Sequence, residues 1–447
     1  MTLLPDFASA TFKPGAAINN QFFPLKPGTV LAYIGTDSSG EAVEANDTFA
    51  TSLTRLVDGV EAMVVRDTGY EDGQLSEETL DYYAQDKQGN VWYLGETVIN
   101  YEYDDDGNFV GTNSEGAWLA GVDGALPGWI MAARPTLGLS YFNEFSPGVA
   151  TDESEIVALR QHIRTDFGQF PALETRDTSS VEPGIVEFKY YGPGIGIVRE
   201  EEDLDAQGVP GLVNDLSQIV KMGDSHLPQG ADAVDAAQFV SDGGPLVVTI
   251  VSEDSEFDNS LGYYTFDPAT GEIGEGRVIF DGGTGSAGDT ITIAVPDGEG
   301  VGFFLVPDSG ELGIDLSVFA EGGLFFTNML NGEQARLSDG MAPIITDEDG
   351  QPLPIPVFHA LGAAHASDLL NPGIGIEGVE WDVGKSGDAG LTLLGFEDQR
   401  LTSDDYDGDF NDLMIAVGDH TANPADYGGV GGASLEVLGQ PLADHIA

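Results

Sequence analysis

Cysteine is absent from the 447-residue chain, which excludes disulfide frameworks, thiolate metal sites, iron–sulfur clusters and cysteine nucleophiles. Cations are scarce as well: 16 Lys and Arg stand against 76 Asp and Glu, a formal net charge of −60. A surface this negative repels phosphate backbones and anionic lipid, so neither nucleic acid nor a membrane surface is an expected partner. No apolar run approaches the roughly 20 residues of a bilayer-spanning helix. The opening residues, Met1 to Asp6, lack the basic region and long apolar stretch of a secretory signal. Three locations stay open on that ground: the cytosol, export by a route without an N-terminal signal, or export by a leader no longer attached. No Gly-x-Ser-x-Gly elbow, phosphate-binding loop or His-Glu-x-x-His motif occurs.

What the chain does have is turn residues and apolar strand signals. Gly contributes 61 residues and Pro 23, while 41% of residues are apolar and 9% aromatic. That composition excludes wholesale disorder and predicts many tight turns. The length suits two to three domains, each able to bury a core. Charge divides unevenly. Residues 1–222 carry 12 basic and 36 acidic side chains, whereas residues 223–447 carry only Arg277, Arg336, Lys385 and Arg400 against 40 acids. Four cations cannot pair forty carboxylates, and crowded like charges oppose folding. Two readings account for this: an acidic surface that keeps the protein hydrated, or divalent cations bound through oxygen ligands.

Short aromatic and β-branched runs at 29–34, 62–67, 79–84 and 91–95 read as strands. Residues 85–90 read as a hairpin loop, and Asp104 to Asn108 as an Asp–Gly turn. Strands at 186–191 and 195–200 follow, split by Gly192, Pro193 and Gly194. Between Glu200 and about Asp242 the texture changes to a charge run and a Pro/Gly-containing segment, with 231–240 the one helix candidate. Strand texture resumes at 246–251, 262–266, 277–280, 290–295 and 301–306, and a last pair is expected at 391–396 and 413–417. The predicted fold is mainly β with two antiparallel domains: a barrel or meander over 1–222, a linker over 223–243, and a β-sandwich or jelly roll over 244–447.

The last strand pair encloses the densest acidic stretch, Glu397 and Asp398 followed by Asp404 to Asp412. Asp405, Asp407, Asp409 and Asn411 alternate, flanked by Asp404 and Asp412. Carboxylates and an amide oxygen gathered around one Gly suit Ca²⁺, a hard cation with oxygen ligands at ~2.3–2.6 Å. The expected ligands are Glu397, Asp398, Asp405, Asp407, Asp409, Asn411 and Asp412. The spacing is not that of an EF-hand: counted from Asp405, the Gly falls too early and the twelfth position is Ala416. A solvated acidic turn is the alternative.

Leu393 to Asp398, a short acidic spacer, and Asp407 to Met414 together resemble the signature of the family called domain of unknown function 4114. Asn259 to Asp267 and the 301–306 strand are similar to it too, so the resemblance spans roughly 245–418. It implies a calcium-associated, secreted or surface protein of bacteria and no known catalytic activity. The segment around Phe358 and His359 is looser than the family pattern. In the first half, Tyr70 to Gly73, Asp81 to Glu96, Glu115 to Trp118, Gly121 to Gly128, Glu182 to Glu187 and Tyr190 to Gly194 resemble an uncharacterised exported bacterial family, over about 22–200.

The remaining candidates have plain structural readings. Asp104 to Asn108 and Asp347 to Gly350 are explained as turns. The six histidines, His162, His226, His359, His365, His420 and His445, show no metal-ligand spacing. Tyr82, Tyr83, Trp92, Tyr93, Tyr101, Tyr103, Trp118 and Trp129 crowd the first half as core and cross-strand pairs, or as a platform for a sugar or apolar ligand. The expectation is an extracellular or cell-surface calcium-binding protein acting as a binding or adhesion module for a polysaccharide or other cell-surface ligand. A calcium-dependent hydrolase or lyase acting on an extracellular polymer, or a small-ligand carrier, is the alternative.

Overall fold

The computed structural model describes residues 2–221, 240–255, 257–282, 285–361, 391–400, 403, 406 and 410–426. Among them the regular structure is β, with a few single-turn 3₁₀ segments. No helix among the described residues is long and apolar enough to cross a membrane. The chain forms two compact units: residues 1–102 with 112–222, and residues 103–111 with 223–447. The helix candidate at 231–240 lies outside the described residues except for Val240.

The first unit is built on one large antiparallel sheet. Its strands run in the order Ser140–Phe142, Asp152–Arg164, Gln169–Ser179, Glu187–Gly192, Gly196–Glu202, Leu212–Lys221 and Thr29–Asp37. The row continues with Ala42–Val57, Val60–Glu71, Gln74–Gln85, Val91–Tyr103, Leu126–Met131 and Glu144–Phe145. The two ends of this row are consecutive in sequence, with Asn143 alone between them. Asn143 ties the ends: its N–H donates to Asp152 O at 2.8 Å, its Nδ2 to Trp129 O at 3.0 Å, and its Oδ1 accepts Ser154 Oγ at 2.8 Å. The sheet thereby curls into a nearly closed barrel, which removes its free edges.

Turn chemistry sets the hairpins. Asp86 N–H donates to Asn90 O at 3.0 Å in the loop expected at 85–90, and Asp104 N–H to Asn108 O at 2.9 Å. Gly107 has φ 79°, the left-handed conformation that an Asp–Gly turn requires. The aromatics of this unit are packed: Tyr82, Tyr83, Trp92, Tyr93, Tyr101 and Trp118 are all buried. The charge run at Glu200 does not end the sheet. Glu200 to Glu202 finish the Gly196–Glu202 strand, and Leu212–Lys221 pairs with both it and Thr29–Asp37.

The second unit holds two four-stranded antiparallel sheets. One orders Thr290–Ala294, Pro245–Glu253, Leu413–Gly418 and Leu391–Phe396; the other Ile273–Phe280, Ser260–Phe266, Gly300–Val306 and Phe358–His359. Side-chain alternation joins them into a sandwich. Leu413, Ile415 and Val417, with Leu394 and Phe396 on the neighbouring strand, enter a core with Leu261, Tyr264, Phe303 and Phe304 of the other sheet. The intervening Met414 and Ala416 pack with Leu391, Leu393 and Val251 on the first sheet's outer face. His359 is fully buried in this core, its ring 5.8 Å from those of Tyr264 and Phe326. Residues 240–241 are already docked on the unit, with Ser241 N–H donating to Glu299 O at 2.8 Å.

Candidate functional site

The acidic loop connects the Leu391–Phe396 and Leu413–Gly418 strands, whose register closes with Phe396 opposite Leu413. Glu397 and Asp398 therefore leave one strand just where Phe410, Asn411 and Asp412 enter the other. The two sides are laced together. Glu397 Oε1 accepts the Phe410 N–H at 2.5 Å, and Asp412 Oδ2 accepts the Asp398 N–H at 2.8 Å. Phe410 has φ 53°, a conformation rare for a bulky side chain, and its ring is buried. Such a residue persists only where its surroundings hold it, here by the Glu397 carboxylate and the core.

A second loop, following the Pro245–Glu253 strand, supports Asp398. Ser255 Oγ and Asn259 Nδ2 both donate to Asp398 Oδ2, the latter at 2.7 Å. Asn259 Oδ1 in turn accepts the Asp308 N–H at 3.2 Å. Glu397, Asp398 and Asn411 are buried. The electrostatics are those of crowded like charge. Burial, then the charges of Glu397 and Asp398, push the Asp412 carboxyl up to about 8. Glu253 and Asp308 are also raised, by burial first and then by carboxylates that include Asp258 and Asp398.

Of the seven expected ligands, the structure brings together Glu397, Asp398, Asn411 and Asp412 at the neck of the loop. Asp405, Asp407 and Asp409 lie outside the described residues. The donor chemistry present is all oxygen, which fits a hard divalent cation. Among the described residues alone, no three acidic or histidine side chains form a metal-holding group.

A second acidic assembly, in the first unit, was not visible in the sequence. Asp81 stands directly opposite Glu96, and Asp67 opposite Thr79 on the same face. That face is the enclosed one. Phe23 lies between the rings of Tyr83 and Tyr191, at 5.2 and 6.5 Å, although their strands are separated by five others in the row. Burial pushes Asp81 up to about 6 with Glu96 adding to it, and Glu96 up to about 7 with help from Glu77 and Asp152. Asp67 and Glu144 are held well above the ordinary carboxylate range, by burial first and then by Asp81 and by Glu96. Farther round the sheet, Lys189 sits 3.2 Å from Glu200 and is raised chiefly by it. The contributing acids are scattered from Asp67 to Glu200, one or two per strand, so no local motif announces them.

No family model matches the chain, and no curated protein matches it. The resemblance to the domain of unknown function 4114 thus rests on its motif residues. Among solved structures, a presumed exported protein with a YmcC-like fold from Bacteroides fragilis aligns at 14% identity, over 46% of this chain and 100% of its own, with a TM-score of 0.27. A presumed lipoprotein from Parabacteroides distasonis aligns at 14% identity, over 45% and 98%, with a TM-score of 0.21. Likenesses this loose carry no argument about the present chain.

Proposed function

We propose that the protein is a calcium-stabilised binding module that works outside the cytoplasm and engages a polysaccharide or another cell-surface ligand. One observation carries the reading: Glu397, Asp398 and Asp412 are drawn to the neck of a loop rich in further carboxylates, and are held there by backbone N–H groups, Ser255 and Asn259. Gathering like charges opposes folding unless a proton or a cation joins them, and a divalent cation serves several carboxylates at once. Calcium sites of extracellular modules have dissociation constants on the order of 10⁻⁴–10⁻³ M, and a site of that class fills where free calcium is millimolar, the setting we propose for this protein.

Calcium titrations by calorimetry of the full chain and three variants test this. Asp409→Asn keeps an oxygen and loses a charge, so affinity falls but survives. Asp409→Ala removes the ligand and weakens binding further. Gly408→Val removes the freedom at φ > 0 that the proposed convergence of Asp407 and Asp409 requires, and should harm binding with every carboxylate in place. Equal calcium binding by all three and the parent would reduce the loop to a solvated turn. For the partner, saturable retention on an immobilised polysaccharide panel in calcium, abolished by chelator, is the expected result. Depletion of the polymer by turnover would favour the hydrolase or lyase instead.

A further inference from the structure

We propose that Glu144 and Asp152 form a proton-bridged clasp on the closure of the large sheet, so that the first unit is shut firmly in acid and loosens at its seam as the pH rises. The seam is one segment used twice. On one side of Asn143, Phe142 pairs with Glu153; on the other, Glu144 pairs with Pro127. Glu144 therefore belongs to the strand bonded to Leu126–Met131, whereas Asp152 opens the Asp152–Arg164 strand at the opposite end of the row. Their side chains hydrogen-bond to each other across that junction, and Glu144 also accepts from the Trp118 indole. The packing is close: a Cβ on Gly128 would run into the carbonyl oxygens of Phe142 and Asn143.

Two ionised carboxylates offer acceptors only, so a hydrogen bond between them contains a proton. The surroundings keep it there. Glu144 is 6% exposed, and the charges that act on it most are Glu96, from the Val91–Tyr103 strand, and Asp152 itself. Glu96 in turn faces Glu77 and Asp67 as well as Asp152. On the Asp152 side, Ser154 stands opposite Asp177, and Lys189, a cation on the same face, acts on Asp177 and Glu202. The Leu126–Met131 strand presents Pro127 and adds no charge there. Burial and like charge both favour the protonated pair while the seam is closed. Once it opens, water solvates both groups and each ionises near its ordinary value of ~4. Closure therefore gains from the proton at low pH and loses that gain as the pH rises through the closed-state value.

Hydrogen exchange of the full chain, read by mass spectrometry at constant ionic strength and corrected for intrinsic rates, tests the clasp. Amides of 140–153 report the seam; those of 29–57, in the middle of the row, report opening of the whole sheet. Between pH 5 and pH 9 the seam should lose about tenfold or more protection relative to 29–57, because each pH unit between the open and closed values is tenfold in the opening equilibrium. In Glu144→Gln the amide N–H takes the place of the proton at every pH, and its carbonyl still accepts from Trp118, so the relative loss should vanish. Asp152→Asn should do the same from the other side, and carries the comparison if Glu144→Gln does not fold. Glu144→Ala, with no donor, should weaken the seam already at pH 5. The proposal is overturned by a parent seam as protected at pH 9 as at pH 5, by the parent's relative loss persisting in Glu144→Gln or Asp152→Asn, or by unchanged seam protection in Glu144→Ala at pH 5.

Discussion

Asp412 shows what the charge cluster does at the scale of one residue. Its carboxyl is pushed up by burial and by Glu397 and Asp398, while its Oδ2 accepts the Asp398 N–H. Asparagine keeps an acceptor of the same shape and removes the charge. In chelator at pH 7, Asp412→Asn should raise the melting temperature, because folding no longer has to draw a proton onto a carboxyl whose folded value lies far above its unfolded one, and the hydrogen bond survives. In saturating calcium the variant should lose that advantage and bind the ion more weakly. Thermal melts in both media check this; equal shifts in both would separate Asp412 from the ion. Glu96 makes the matching case in the first unit. A carboxyl with a raised folded pKa holds a proton that the unfolded chain has released. The stability from that proton is fullest below the unfolded value of ~4.3, and is lost as pH rises through the folded value, here about 7. Glu96→Gln should therefore stabilise the protein at pH 8 and leave it nearly unchanged at pH 4. Calorimetric melts at the two pH values decide it.

At the scale of the element, the Asn143 side chain contributes two of the hydrogen bonds that join the ends of the large sheet. Asn143→Ala would leave Trp129 O and Ser154 Oγ without this partner, and a buried group left unsatisfied costs ~1–3 kcal/mol. Urea denaturation should show a lower midpoint of that order, and an unchanged midpoint would mean that the sheet closes without the clasp. The strands themselves were unequally legible. Those with apolar alternation, such as Thr29–Asp37, Val91–Tyr103 and Leu413–Gly418, stand out from the sequence. Ala42–Val57, Asp152–Arg164 and Leu212–Lys221 do not, for a physical reason. The enclosed face carries acids, amides and hydroxyls such as Thr48, Asn214 and Ser154, so polar residues occupy positions where a core strand would show Val or Leu. The same reversal hid the Asp81, Glu96 and Glu144 assembly. The loop from Glu397 to Asp412 was legible because its acids are contiguous. What could not be read there was the help from Ser255 and Asn259, which reach Asp398 from more than 130 positions away.

At the scale of the whole molecule, the excess of charge falls on two units with different solutions. The first places carboxylates on an enclosed face, where several take up protons; the second concentrates them at a loop suited to a divalent ion. The Pro/Gly-containing segment after Lys221 carries little apolar sequence, and limited proteolysis is expected to cut first near 222–240. A single protected fragment crossing that interval would place the boundary elsewhere. Calcium bound to the folded second unit, as proposed, would show in differential scanning calorimetry of the full chain. A ligand that binds only the folded state adds RT ln(1 + [L]/Kd), about 2.7 kcal/mol at a hundredfold excess over Kd. With ionic strength held constant, calcium should raise one transition and exhaustive chelation should lower it again. Superimposable melts in calcium and in chelator would contradict it.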